Sequence, residues 1–160
     1  MPKLKPKIYL DTSVPSNFYD ADTPEQTALT RLFWEDYLSK FQAFISEATV
    51  QEIKKTSDLE KRRKTIQLLN KFKILKITSE IENLAGNYLK SQIVPKSHPI
   101  DALHLACATF YEIDFLVTWN ITHMANPNKR KKLTEFNKSA DLFIPQLTTP
   151  EELIKTYAQE

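Results

Sequence analysis

The sequence predicts an α/β fold: a single domain over residues 1–160, built as an α/β/α sandwich around a central, mainly parallel sheet of about five strands. Three observations point there. Short apolar runs with β character alternate with helical patterns along the whole chain, and parallel neighbours need such helical crossovers. Helix-start signals built on Ser, Thr or Asp recur between those runs. A chain of 160 residues suffices for one core and is short for two.

Ile8-Tyr9-Leu10 reads as the first strand and ends abruptly in Asp11-Thr12-Ser13. Thr23-Pro24-Glu25-Gln26 starts a helix to about Ser39, with threonine as N-cap, proline at N1 and glutamine at N3 closing a capping box. Its stripe of Leu29, Leu32, Phe33 and Tyr37 should lie on the sheet. Phe41 to Ile45 is the second strand, and Ser46 caps a short helix, Glu47 to about Lys55, that carries Glu52. Asp58 caps a helix from Leu59 to about Phe72, whose first turn is unusually basic.

Ile74 to Ile77 is the third strand, and Ser79 with Glu82 forms a capping box for a helix to about Lys90. Pro99 opens the next helix, placing Asp101 at its start and sending Leu103, Cys107 and Phe110 down one face. Phe115 to Thr118 is the fourth strand and runs into Trp119-Asn120. Asn126-Pro127 starts a basic helix, Leu142 to Ile144 is a weak fifth strand, and Thr149-Pro150-Glu151-Glu152 caps a last helix.

Counting excludes several chemistries. The one cysteine, Cys107, rules out a disulfide framework and multi-cysteine metal sites, and its apolar setting suggests a buried thiol. With Gly86 the only glycine, no glycine-rich phosphate loop can be written. His98, His104 and His123 show no HExxH spacing. What remains is a carboxylate site, which suits hard cations. No segment is long and apolar enough to cross a bilayer, and the N-terminus has no secretory h-region, so a cytoplasmic location is the expectation. The net charge of +2 is too small to argue nucleic-acid binding from totals, although bases cluster at Lys61 to Lys64 and Lys129 to Lys132.

Asp11, Ser13, Glu52, Asp101 and Asn120 fall at strand ends or helix starts on one predicted side of the sheet, where open α/β folds bind ligands. Each has a plainer reading. Asp11 could begin a turn. Asp101 could only complement a helix N-terminus, Glu52 could be a surface residue and Asn120 a turn residue. His104 reads as a satisfied helix residue rather than a base.

The order and contexts of these residues resemble the PIN-domain family of metal-dependent ribonucleases, and within it the small VapC-like toxins. The likeness runs through YLDTS at Asp11, ISEATVQEI at Glu52, DALHLACA at Asp101 and LVTWN at Asn120, and it extends to the TPEEL-like cap of the last helix. The resemblance implies hydrolysis of phosphodiester bonds in RNA. It implies Asp11, Glu52 and Asp101 as acids holding Mg2+ or Mn2+, with Thr12 or Ser13 beside them. Asn120 stands where relatives often carry aspartate, so the site would hold three acids instead of four. His123 could approach the phosphate, and Lys129 and Arg130 could hold the RNA backbone. A small antitoxin and a homodimer are the partners the resemblance implies. The alternative is a catalytically weakened PIN-like module that binds RNA or a protein partner.

Overall fold

The computed structural model describes residues 4–158. Five strands, β1 (Lys7–Leu10), β2 (Gln42–Ser46), β3 (Lys73–Leu75), β4 (Phe115–Val117) and β5 (Gln146–Thr148), form one sheet in the order β3-β2-β1-β4-β5. Every pairing is parallel. The helices are α1 (Ser13–Asn17), α2 (Pro24–Leu32), α3 (Glu47–Lys54), α4 (Leu59–Leu68), α5 (Ser79–Lys90), α6 (Pro99–Phe110), α7 (Pro127–Ser139) and α8 (Pro150–Tyr157).

β1 is central, and its side chains alternate between two cores. Tyr9 packs with Leu105, Ala106, Tyr88 and Leu116 on one face of the sheet. Ile8 and Leu10 pack with Val14, Phe33, Ile53 and Val117 on the other. A strand buried on both faces must be apolar throughout, which is why Ile8-Tyr9-Leu10 is unbroken. The strand order reverses between β1 and β4, so a crevice opens beyond their carboxyl ends.

Local chemistry explains most boundaries and several departures from expectation. Ser46, Asp58, Asn126 and Thr149 each cap a helix through a side-chain oxygen. Thr23 precedes α2 but forms no cap; its hydroxyl and the Gln26 amide oxygen instead accept from Asn17 Nδ2 at 2.8 and 3.2 Å. α2 then widens into a π turn at Phe33–Tyr37; ahead of it the buried face runs through Thr30 and Phe33, which leaves Leu32 40% exposed. α4 stops at Leu68, short of Phe72. The cap of α5 is Thr78, accepting from Ile81 N, rather than Ser79. α6 buries Ala102, Leu105, Ala106 and Cys107, but Phe110 is exposed. The fifth strand begins at Gln146, beyond Leu142 to Ile144, because Pro145 has no N–H and the first bond to β4's side is Gln146 N to Asp114 O.

With one glycine in the chain, the left-handed turns that end α5, α6 and α7 fall to Gln92, Glu112 and Asp141, with φ of 58°, 54° and 56°. In each case the next residue, Ile93, Ile113 or Leu142, returns its N–H to Tyr88, Ala108 or Asn137 O, closing a Schellman motif.

One buried polar chain fixes the loop after β4. Trp119 Nε1 donates to Thr30 Oγ1 at 2.8 Å, and Thr30 Oγ1 donates to Asn17 Oδ1 at 2.7 Å. Thr30→Val keeps the shape but leaves the indole N–H and the amide oxygen unpaired, so urea unfolding should show a loss of about 2 to 4 kcal/mol. A change below about 0.5 kcal/mol would mean that this chain does not hold the loop.

Candidate active site

Asp11 follows β1 directly and Thr118 follows β4, and the register that pairs Leu10 with Val117 sets them side by side. Asp11 is 2% exposed, and both of its carboxylate oxygens are held. Oδ1 accepts from Ser13 N at 3.0 Å and Ser13 Oγ at 2.5 Å, and Oδ2 accepts from Thr118 Oγ1 at 2.5 Å. The same hydroxyls brace the loop beyond β4: Trp119 N donates to Ser13 Oγ at 2.8 Å and Asn120 N to Thr118 Oγ1 at 2.9 Å. Thus the ends of two neighbouring strands are tied through one carboxylate.

Glu52 reaches the same place from α3, which packs against α6. Its Oε1 accepts from Thr12 Oγ1 and lies 2.8 Å from His104 Nε2, while Oε2 accepts no hydrogen bond among the described residues. Asp101 comes from the first turn of α6, where a carboxylate suits the helix dipole. Its Oδ2 accepts from Asn120 Nδ2 at 2.9 Å. Asn120 Oδ1 is used elsewhere, accepting from His123 N at 3.2 Å to cap the π turn Ile121–Ala125. The asparagine therefore orients Asp101.

Asp11, Glu52, Asp101 and Asn120, with Thr12, Ser13, Ser16 and His104, line one cavity of about 270 Å³. No lysine or arginine is among its lining residues. The electrostatics reflect that. Burial pushes the Asp11 carboxyl above its ordinary range against the pull of His104 and the Ser13 and Thr118 hydrogen bonds, and Asp101 pushes it further. Burial also raises Asp101; His104 opposes this, Glu52 adds to it, and His98 and His123 pull it down. Burial would raise Glu52 too, but hydrogen bonding and charge from His104, with Thr12 and Lys55, leave it lowered.

These are hard oxygen donors without a cationic counterpart, a set that fits a divalent ion. Among the described residues no three His, Cys, Asp or Glu side chains converge closely enough to enclose an ion unaided. The two facts are compatible for magnesium, which keeps several waters and takes one or two carboxylates.

The other expected residues lie differently. His123 is outside the cavity, its ring 4.3 Å from that of His98. Arg130 is committed within the fold: Nη1 and Nη2 donate to Glu152 at 3.0 and 2.7 Å, and Nε donates to Ala125 O. That pairing, assisted by Thr148 and Thr149 and opposed by burial, holds the Glu152 carboxyl below its ordinary range. Lys129 Nζ donates to Gln92 O at 3.1 Å. In the first basic run, Arg63 and Lys64 face Glu60 on an exposed surface and Arg62 donates to Lys54 O. Cys107 is buried, its thiol pushed up to about 12 by desolvation.

Sequence reasoning missed Thr118 and gave His104 no place in the site. Both had a signal: Thr118 is the first residue past its strand, and His104 is one helical turn from Asp101.

The PIN domain family model matches residues 8–121, well over half of the chain. A comparison with curated proteins found no significant match. The fold is similar to solved structures that share little sequence with it. A toxin–antitoxin complex from Klebsiella pneumoniae is 19% identical with a TM-score of 0.56, covering 77% of this chain and 94% of that one. Mycobacterium tuberculosis VapC20, described as a sarcin–ricin loop cleaving toxin, is 14% identical with a TM-score of 0.54 over 74% and 98%. VapBC-1 from nontypeable Haemophilus influenzae is 16% identical with a TM-score of 0.57 over 90% and 98%. By the family match, with the acids and the sheet order in agreement, the chain belongs to the PIN domain family.

Proposed function

We propose that this chain is a magnesium- or manganese-dependent ribonuclease, the toxin of a pair with a small antitoxin, assembling as a homodimer. The observation that carries the reading is the acidic cavity at the β1–β4 switch point, lined by three carboxylates and by no lysine or arginine. Membership of a nuclease family supports it, as do the toxin and toxin–antitoxin descriptions of the similar structures.

A divalent ion bound there would polarise a phosphoryl oxygen and acidify a water molecule. Asp11 and Asp101 would hold the ion; Glu52 would hold it as well or orient the attacking water. The chain's own work is positional. Ser13 and Thr118 keep Asp11 facing the crevice, and Asn120 pins one oxygen of Asp101. We assign backbone phosphate contact to Lys129 in preference to Arg130, since Lys129 keeps two N–H groups beyond the one given to Gln92, while the Arg130 guanidinium is taken up by Glu152 and Ala125.

A second reading, a PIN-like module that binds RNA or a protein without cleaving, draws on Asn120. Its amide adds no charge, and both of its polar atoms are engaged within the site. Metal affinity without cleavage would favour it.

With Mn2+ and a mixture of single-stranded and structured RNAs, the native protein should cleave at internal phosphodiesters, and Asp101→Asn should be slower by about 100-fold or more. Cleavage that persists in Asp101→Asn, or in the presence of a chelator, would overturn the metal-carboxylate mechanism.

Electrostatics give a second expectation. Raised carboxyls in the fold keep protons that the unfolded chain has released, so the part of metal-free stability carried by Asp11 and Asp101 falls as pH climbs above the ordinary carboxylate range. Asn120→Asp adds a like charge beside Asp101. Two carboxylates about 4 Å apart repel by about 4 kcal/mol at an effective dielectric near 20, reduced here by solvent screening to about 1 to 2 kcal/mol. Denaturation at neutral pH should show that loss, and Mn2+ should reverse it. Unchanged metal-free stability would mean that the acids do not strain the empty site.

A further inference from the structure

Beneath the acid cavity runs a buried line of polar groups that the proposed reaction does not itself use. Ser46 Oγ and Tyr9 Oη are 2.6 Å apart, Tyr9 Oη and His104 Nδ1 are 2.6 Å apart, and His104 Nε2 is 2.8 Å from Glu52 Oε1. Tyr9 and Ser46 are fully buried and His104 is 1% exposed, so these groups must find their hydrogen-bond partners within the fold.

Two lone pairs cannot face each other at 2.8 Å, so the contact with a carboxylate oxygen requires a proton on Nε2. The phenol is kept protonated by burial and lies between Ser46 and the His104 ring, with Thr49 beside it. Ser46 Oγ already accepts from Ala48 N at 3.1 Å, capping α3, and has a hydrogen of its own to give. On its other side the ring is fixed at Nδ1 by the Tyr9 phenol, itself held by Ser46, so the imidazole cannot turn away from Glu52 without breaking buried hydrogen bonds.

We propose that His104 is a positioning residue, its ring held in place by Tyr9 and Ser46, which grips Glu52 by Oε1 so that Oε2 is presented to the acid cavity. The inference rests on the ribonuclease reading for its purpose but not for its geometry. Thr12 Oγ1 donates to the same Oε1, so two donors converge on one oxygen and none on the other. Such outer partners set the orientation of a ligating carboxylate and commonly change metal affinity by about 10- to 100-fold when removed. The chain also ties Glu52 to the core, since Tyr9 lies on the central strand and His104 on α6.

The first test is the 15N chemical shifts of the His104 ring in the metal-free protein at neutral pH. A hydrogen-bonded proton on Nε2 is expected, and an Nε2 without a proton would overturn the grip on Glu52. The second is Mn2+ affinity by calorimetry on three variants, with thermal unfolding as a control on folding. Tyr9→Phe, which keeps the packing, and His104→Asn, whose amide stands near the Nδ1 position, should each weaken binding about tenfold. His104→Gln, whose amide nitrogen reaches the Nε2 position, should restore affinity to within about twofold of native. Equal affinity in all three, or equal loss in His104→Gln and His104→Asn, would overturn the positioning role. A native protein that binds no manganese would defeat the nuclease reading, and the Nε2 proton would then decide alone on the grip.

Discussion

Everything at the functional end of this molecule depends on how one carboxylate is fixed. Asp11 sits at the end of the most buried strand, and its two oxygens are tied to hydroxyls that themselves brace the neighbouring strand's exit. Removing an anion from water is costly unless hydrogen bonds or a counter-ion replace the solvent. Ser13 and Thr118 supply part of that replacement, yet the carboxyl still lies above its ordinary range. The residual imbalance is what a cation would remove.

The surrounding fold is arranged so that this imbalance is local. Strands β1 and β4 deliver Asp11 and Thr118 in register, α6 delivers Asp101 from its favourable N-terminus, and α3 delivers Glu52 across the α3–α6 contact. Three acids approach from three elements whose positions are set by separate apolar cores on the two faces of the sheet. Packing energy thereby opposes like-charge repulsion, and the protein can hold an acidic cavity without a lysine or arginine in its lining. Arg130 is matched to Glu152 outside that lining.

Much of this was legible in the sequence, for reasons that differ by residue. Asp11 could be found because an apolar strand ending in an acid is a local pattern, and Asp101 because Pro99 marks a helix start. The resemblance to PIN domains tied those local signals together. Thr118 was lost to a one-residue error at a strand end, the least determinate feature of any strand. Leu32 is misplaced because the buried face of α2 runs through the polar Thr30, which is held by Asn17, and the fifth strand because Pro145 moved the first available N–H. The Arg130–Glu152 pair joins residues 22 apart, and no periodicity reveals such a partnership. His104 was visible but read as inert, since only the folded chain sets Tyr9 and Glu52 on either side of its ring.

The central claim, that Asp11 anchors a divalent ion, is tested most directly by calorimetric titration of Mn2+ into the native protein and Asp11→Asn, with the fold checked by circular dichroism. Binding in the native protein that weakens by about tenfold or more in Asp11→Asn is the predicted result. Equal affinity in the two proteins, or no binding to the native one, would contradict it.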